Sequence, residues 1–249
     1  MKKYAAITVL FILCGSFSAF GSLNVIKDET ASTALLTWSR PENVQIGFLY
    51  SRMERTLENY GVLDSTLLDA QVGVDVFPWW RLYGRVGSSD AKIKMQRFSA
   101  NHAVGGLLGT RFNVWQIDEG LQRTAWQFTV QLDASYAYRT TREDRSGSLT
   151  WSEAQVRLPL NYHLTLAKAS RQQYLGDFHS LEMFVAPVYS YLDGTWKLNK
   201  SLKRDVKASE DFGVVFGLEF WLTERLSFSG EYLLLDKQVW TLGLRYQFP

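Results

Sequence analysis

Residues 240–249 read WTLGLRYQFP. Trp240, Leu242, Leu244, Tyr246 and Phe248 fall on one face of an extended strand, and Thr241, Gly243, Arg245 and Gln247 fall on the other. Side chains of a strand point to opposite faces with a period of two. One face of this strand therefore seeks an apolar medium, and the other seeks water or polar partners.

Nine earlier segments carry the same alternation. They are NVQIGFLYS (43–51), LLDAQVGVDVF (67–77), RLYGRVG (81–87), GLLGTRFNVW (106–115), AWQFTVQLDASYAY (125–138), EAQVRLPLNYHL (153–164), SLEMFVAPVYSY (180–191), FGVVFGLEFWL (212–222) and RLSFSGEYLL (225–234). A β-sandwich also alternates, but its polar faces meet bulk water and favour Lys, Glu and Thr. Here the minor faces carry Gly, Ser, Gln and single Asp, Glu or Arg residues, without lysine. That composition suits a confined polar interior. The apolar faces place Trp, Tyr or Phe at strand ends, as the aromatic girdles of a membrane barrel require. Segments near ten residues match a tilted transmembrane strand.

Lipid offers the backbone no hydrogen-bond partners, so a spanning sheet must close on itself. The expected fold is all-β: a closed antiparallel transmembrane β-barrel of about ten strands, with eight or twelve as alternatives. An even number puts both ends of the barrel chain on one side. PWW (78–80), IDEGLQR (117–123), TLAKASRQQYLGD (165–177) and TER (223–225) are then inner turns. The outer loops are residues 52–65, 88–103, 139–148, 193–210 and 235–238.

The chain has 249 residues, 46% hydrophobic and 14% aromatic, with nine tryptophans. Its mean hydropathy of −0.14 excludes a bundle of membrane helices. Residues 1–21 read as a secretory signal peptide: Lys2 and Lys3, the apolar run Tyr4–Leu13, then small residues up to the site at Ala19–Gly21. The only cysteine, Cys14, lies inside it, and the bulky Leu13 before it argues against lipidation. Removing residues 1–21 lowers the Lys and Arg count from 27 to 25, against 25 acids. The mature chain is neutral, which gives no field for nucleic acid. Residues 22–43 read as a periplasmic lead-in that could also plug the lumen, and residues 44–249 as the barrel.

An amino-terminal export signal, alternating strands and a last strand ending Tyr-x-Phe together resemble the small bacterial outer-membrane barrels, such as the transmembrane domain of the OmpA family. The resemblance covers about residues 44–248. It implies that Leu242, Leu244, Tyr246 and Phe248 form the signal read by the barrel assembly machinery. Pro249 departs from that pattern, in which the aromatic is the final residue.

Inward candidates are Asp69, Asp75, Arg81, Arg85, Arg111, Asp133, Glu153, Arg157, Glu182, Glu219, Glu231 and Arg245. Glu219, Glu231 and Arg245 lie on three consecutive segments and are expected to form one charge cluster with Arg157, Asp133 and Glu182. A lumen filled by such pairs implies a structural or surface-interaction protein. A narrow lumen that still conducts implies a small nonselective porin-like channel. Catalysis is not expected, the alternative being a lipid-modifying or proteolytic outer-membrane barrel. The histidines are His102, His163 and His179, no His–acid pair is evident, and His179 and Ser180 point to opposite faces. No cofactor or metal is implied. Outside the barrel, Lys197, Lys200, Lys203, Arg204 and Lys207 suggest contacts to lipopolysaccharide phosphates in the outer-membrane lipid.

Overall fold

A computed structural model describes residues 44–77, 79–94, 98–121, 124–141, 147–166, 179–197 and 203–248. The signal peptide, the lead-in, Lys200, Pro249 and residues 167–177 of the long inner turn lie outside them. Among the described residues twelve strands are present: β1 (Val44–Leu57), β2 (Gly61–Phe77), β3 (Trp80–Ile93), β4 (Phe98–Leu121), β5 (Thr124–Thr141), β6 (Ser148–Arg157), β7 (Leu160–Leu166), β8 (Ser180–Lys197), β9 (Lys203–Lys207), β10 (Phe212–Trp221), β11 (Leu226–Leu234) and β12 (Gln238–Gln247).

They make ten staves, all antiparallel. β6 and β7 are one stave broken at Leu158–Pro159, since both pair with β5 on one side and β8 on the other. Pro159 has no N–H to give a ladder, so the stave is interrupted there. β9 is an appendage of β8. The ring is closed by β12 against β1, from Gln45 opposite Gln247 to Met53 opposite Val239. Phe248 N–H donates to the Val44 carbonyl at 2.9 Å, so both ends of the barrel chain lie at one end of the cylinder, here the lower end.

Register fixes which side chains face out. Ile46, Phe48 and Tyr50 on β1 stand beside Val72, Ala70 and Leu68 on β2, and beside Tyr246, Leu244 and Leu242 on β12. These and their counterparts form an exposed apolar belt; Phe48 is 63% exposed and Leu108 75%. Aromatic residues rim the belt. Phe77, Trp79, Trp80 and Phe112 stack at the lower edge, while Tyr50 meets Trp240 and Tyr189 meets Phe212 at the upper edge. A water-soluble sandwich would not leave such a continuous belt uncovered.

Strand lengths correct the sequence reading. Four segments expected as loops or turns are strand for much of their length. β1 and β2 pair from Val44–Val74 up to Leu57–Gly61. Residues 88–103 pair as β3 and β4 up to Ile93–Phe98. IDEGLQR pairs down to Leu121–Thr124, and much of 193–210 is the β8–β9 ladder. The tight β1–β2 turn is possible because Asn59 and Gly61 adopt positive φ, 66° and 92°.

Above the belt the polarity of the two faces inverts. On β1 the outward residues become Arg52, Glu54 and Thr56, while the inward ones become Met53, Arg55 and Leu57. The interior there is apolar: Met53, Leu57, Leu63, Ile93, Phe98, Leu149, Trp151, Leu192, Trp196 and Val206 form one buried cluster. The expectation of a polar interior throughout therefore holds only for the lower part. The wall changes too. β10, β11 and β12 end low, and β9 takes their place: Glu58 N–H donates to the Lys207 carbonyl and Ser209 N–H to the Thr56 carbonyl, around a Leu57–Ala208 bridge. The ten-stranded barrel thus narrows to an eight-stranded ring (β1–β6, β8 and β9), a width that side chains can fill.

Trp196 anchors that cap; it is 1% exposed and its ring meets Phe98 and Tyr60 edge-on. Trp196→Ala is expected to destabilise the cap by about 3–5 kcal/mol, seen as new proteolytic cleavage around β9 while the heat-modifiable migration of the belt persists.

Candidate functional site: the barrel lumen

The register points all twelve charges anticipated for the lumen inward. It adds Arg55 and Arg139, both within segments expected to be loops. Among the described residues the lumen thus holds seven arginines (55, 81, 85, 111, 139, 157, 245), no lysine, and seven strand carboxylates (69, 75, 133, 153, 182, 219, 231). Confined charges must be paired or solvated.

The lower lumen is built from short ion pairs. Arg245 Nη1 lies 2.8 Å from Glu219 Oε2, and its Nη2 lies 3.8 Å from Glu231 Oε1. Arg157 Nη1 reaches Glu231 Oε2 at 3.2 Å. Arg111 Nε donates to Asp133 Oδ2 at 2.9 Å, and Tyr83 O–H donates to Asp133 Oδ1 at 2.7 Å. Arg81 pairs with Asp75. Glu182 lies beside His163, at 3.7 Å from Nδ1. Glu219, Glu231, Arg245, Arg157, Asp133 and Glu182 all border one small cavity of about 20 Å³. The six charges are thus gathered at one level of the barrel.

Two of these contacts correct the sequence reading of the histidines. His163 does meet a carboxylate, Glu182, and its Nε2 lies 3.1 Å from Thr165 Oγ1. His179 lies 3.7 Å from Glu224 at the lower rim. Both acids are on other strands or turns, so chain spacing could not reveal them.

Higher up, Asp69 on β2 accepts from Arg139 Nη2 on β5 at 2.6 Å, although two strands separate them. The residues in register between them are Gly87 on β3 and Gly105 on β4. A Cβ at either position would overlap the Asp69 or Arg139 side chain. The two glycines leave a bare strip of wall along which the ion pair lies. Gly109 does the same for the Tyr83 ring.

Arg55 closes the lumen where ten strands become eight. It is 0% exposed. Its guanidinium donates to Glu153 Oε1 at 3.0 Å, Ser190 Oγ at 3.0 Å, Asp236 Oδ1 at 3.2 Å and the Glu210 carbonyl at 2.9 Å. One side chain on β1 thus ties β6, β8, the β11–β12 turn and the segment before β10. Asp236 also accepts the Thr56 N–H, at the height where β12 has ended and β1 has lost its ladder partner.

Below this level a polar cavity of about 200 Å³ opens at the lower end, bordered by Arg81, Arg111, Arg245, Glu182, Glu219 and Trp221 among others. On the outer surface of the cap, Lys197, Lys203 and Lys207 share one face of the β8–β9 ladder, together with Asp193 and Asp205. Arg204 is on the other face, with its guanidinium over the Tyr60 and Trp196 rings at 6.0 and 5.9 Å. The cation set proposed for phosphates therefore does not come together as one patch. Leu242, Leu244, Tyr246 and Phe248 line the outward face of β12 and its end.

No family model and no curated protein matches this sequence. Solved structures of similar architecture include the transport unit of the autotransporter AIDA-I from Escherichia coli, 8% identical, covering 94% of this chain and 96% of that one, TM-score 0.42. The outer membrane protease OmpT from Escherichia coli is 11% identical over 86% and 99% of the two chains, TM-score 0.38. Ail, the attachment invasion locus protein of Yersinia pestis, is 14% identical over 82% and 96%, TM-score 0.22.

Removing one partner of a buried ion pair strands the other charge, at a cost of about 3–5 kcal/mol. Arg55→Ala is expected to lower unfolding stability in detergent by that amount, read from the urea midpoint. Gly105→Ala should also destabilise the barrel, because the added Cβ would collide with the Tyr138 carbonyl oxygen and the Arg139 stem.

Proposed function

We propose that this chain is an integral outer-membrane β-barrel with a structural and surface-interaction role, its lumen filled rather than conducting. The observation that carries the reading is the cap: an eight-stranded ring with an apolar core, sealed below by Arg55. Dry, close-packed side chains leave no water path for an ion. The lower end, with Val44 and Phe248, faces the periplasm, and the cap faces the cell exterior. Residues 1–21 direct export, and the barrel assembly machinery engages Leu242, Leu244, Tyr246 and Phe248. This reading stands closest to the OmpA-type barrels, on the export signal and the last strand. It assigns the chain no catalysis; the His163–Glu182 contact is read as part of the polar packing of the lumen.

Lipopolysaccharide is the proposed lipid partner. Lys197 and Lys203 stand directly opposite in the ladder, among the described residues no ion pair reaches them, and Lys207 lies lower on the same face. Like charges facing each other across strands are unfavourable unless an anion comes between them. Arg204 is dropped from this set because its guanidinium faces Tyr60 and Trp196.

The rival reading is a small nonselective pore. Planar-bilayer recording separates the two: the filled barrel is expected to give no stable open-state current. Regular conductance steps from the pure, correctly folded chain would overturn the proposal.

A further inference from the structure

The cap and the Arg55 junction make the lower cavity a pocket rather than part of a channel. We propose that this pocket binds an uncharged saccharide that enters from the lower end of the barrel. Its volume of about 200 Å³ is of the order of one sugar ring.

The charge pattern removes ions as the preferred guests. Three arginines (81, 111, 245) face three carboxylates (Asp75, Glu182, Glu219), so the lining has no net charge. Arg81 already answers Asp75, and Arg245 already answers Glu219. An anion or a cation would have to break a pair in order to bind, whereas a neutral guest can bind beside it.

The remaining lining is made of groups that both donate and accept. Four carboxamides border the cavity: Gln45, Asn113, Gln131 and Gln247. Gln131 donates to Asn113 Oδ1 at 2.9 Å, which orients both amides. Each amide carries an acceptor oxygen and two donor hydrogens, the complement of a hydroxyl that itself donates and accepts.

The rim supplies a flat apolar surface. Trp79 borders the cavity and is 42% exposed, the rest of its ring being packed on Phe77, Trp80 and Phe112 in the aromatic rim of the belt. Its ring is held in a fixed plane at the mouth. A pyranose combines an apolar C–H face with hydroxyl edges, which suits one aromatic plane and a ring of amides.

The test is isothermal titration of the full chain in a detergent without sugar head groups. The probes are N-acetylglucosamine, its β-1,4-linked dimer and a longer β-1,4-linked oligomer, with glycylglycine and inorganic phosphate as charged comparisons. Saturable binding of the sugars is expected, weakened about three- to tenfold by Gln131→Ala, the loss of roughly one hydrogen bond. Trp79→Ala should weaken it similarly, and Trp79→Phe should retain most of it. Heat-modifiable migration confirms that each variant is folded. A longer oligomer that binds more tightly than the dimer identifies the end of a glycan strand as the guest; equal affinity identifies a free sugar. The proposal is overturned if no sugar binds, if folded Gln131→Ala and Trp79→Ala bind as wild type does, or if phosphate or glycylglycine binds better. Binding by a barrel that also conducts would leave the pocket standing and remove only the filled-lumen reading.

Discussion

Everything in this molecule follows from the backbone's need for partners. In lipid each unpaired N–H or C=O costs several kcal/mol, so a spanning sheet has no tolerable edge. β12 meets β1 for that reason. The constraint continues above the belt, where β12 ends and β1 runs on. The Asp236 carboxylate takes the Thr56 N–H, and β9 supplies the next two contacts, to Glu58 and Ser209. A turn carboxylate and a short extra strand thus finish a closure that the staves alone leave incomplete.

The inversion of polarity has the same origin in the surrounding medium. Around the belt the outside is hydrocarbon, so apolar side chains face out and the polar ones must satisfy each other within. Above the belt the outside is water, and the hydrophobic effect sends the apolar set inward. The strands do not change phase when this happens. Leu49, Ser51, Met53, Arg55 and Leu57 keep to one face of β1 throughout. Only the chemical character assigned to each face is exchanged.

That exchange explains what the sequence made legible and what it hid. The ten staves, their facing and the inward charges can be read from strict alternation against a greasy exterior. Residues 52–65 look like a loop because apolar residues leave the face where they were expected, yet the period of two continues through Met53, Arg55, Leu57, Leu63 and Ser65. Following parity rather than polarity would have found both the longer strands and Arg55. The Asp69–Arg139 pair was less accessible. Glycines on the minor faces are visible in the sequence, but only the register shows that Gly87 and Gly105 fall between those two side chains. Likewise, the opposite facing of Arg204 and the three lysines depends on where the β8–β9 hairpin turns, which composition does not encode.

The exclusive use of arginine among the described lumen residues follows from this geometry. A lumen side chain must reach partners on several staves at once while its stem lies along a curved wall. The guanidinium carries five donors in a rigid fork, whereas an ammonium is a compact and strongly hydrated point charge. Arg55 uses that fork fully, reaching two carboxylates, a hydroxyl and a carbonyl on four different segments. Lysine at the same place would answer fewer partners and would leave buried acceptors unsatisfied. On the cap's outer surface water supplies any missing partner, and lysine returns there at 92, 94, 197, 203 and 207. Arginine also stands outside, at Arg52, but among the described residues lysine is found only there.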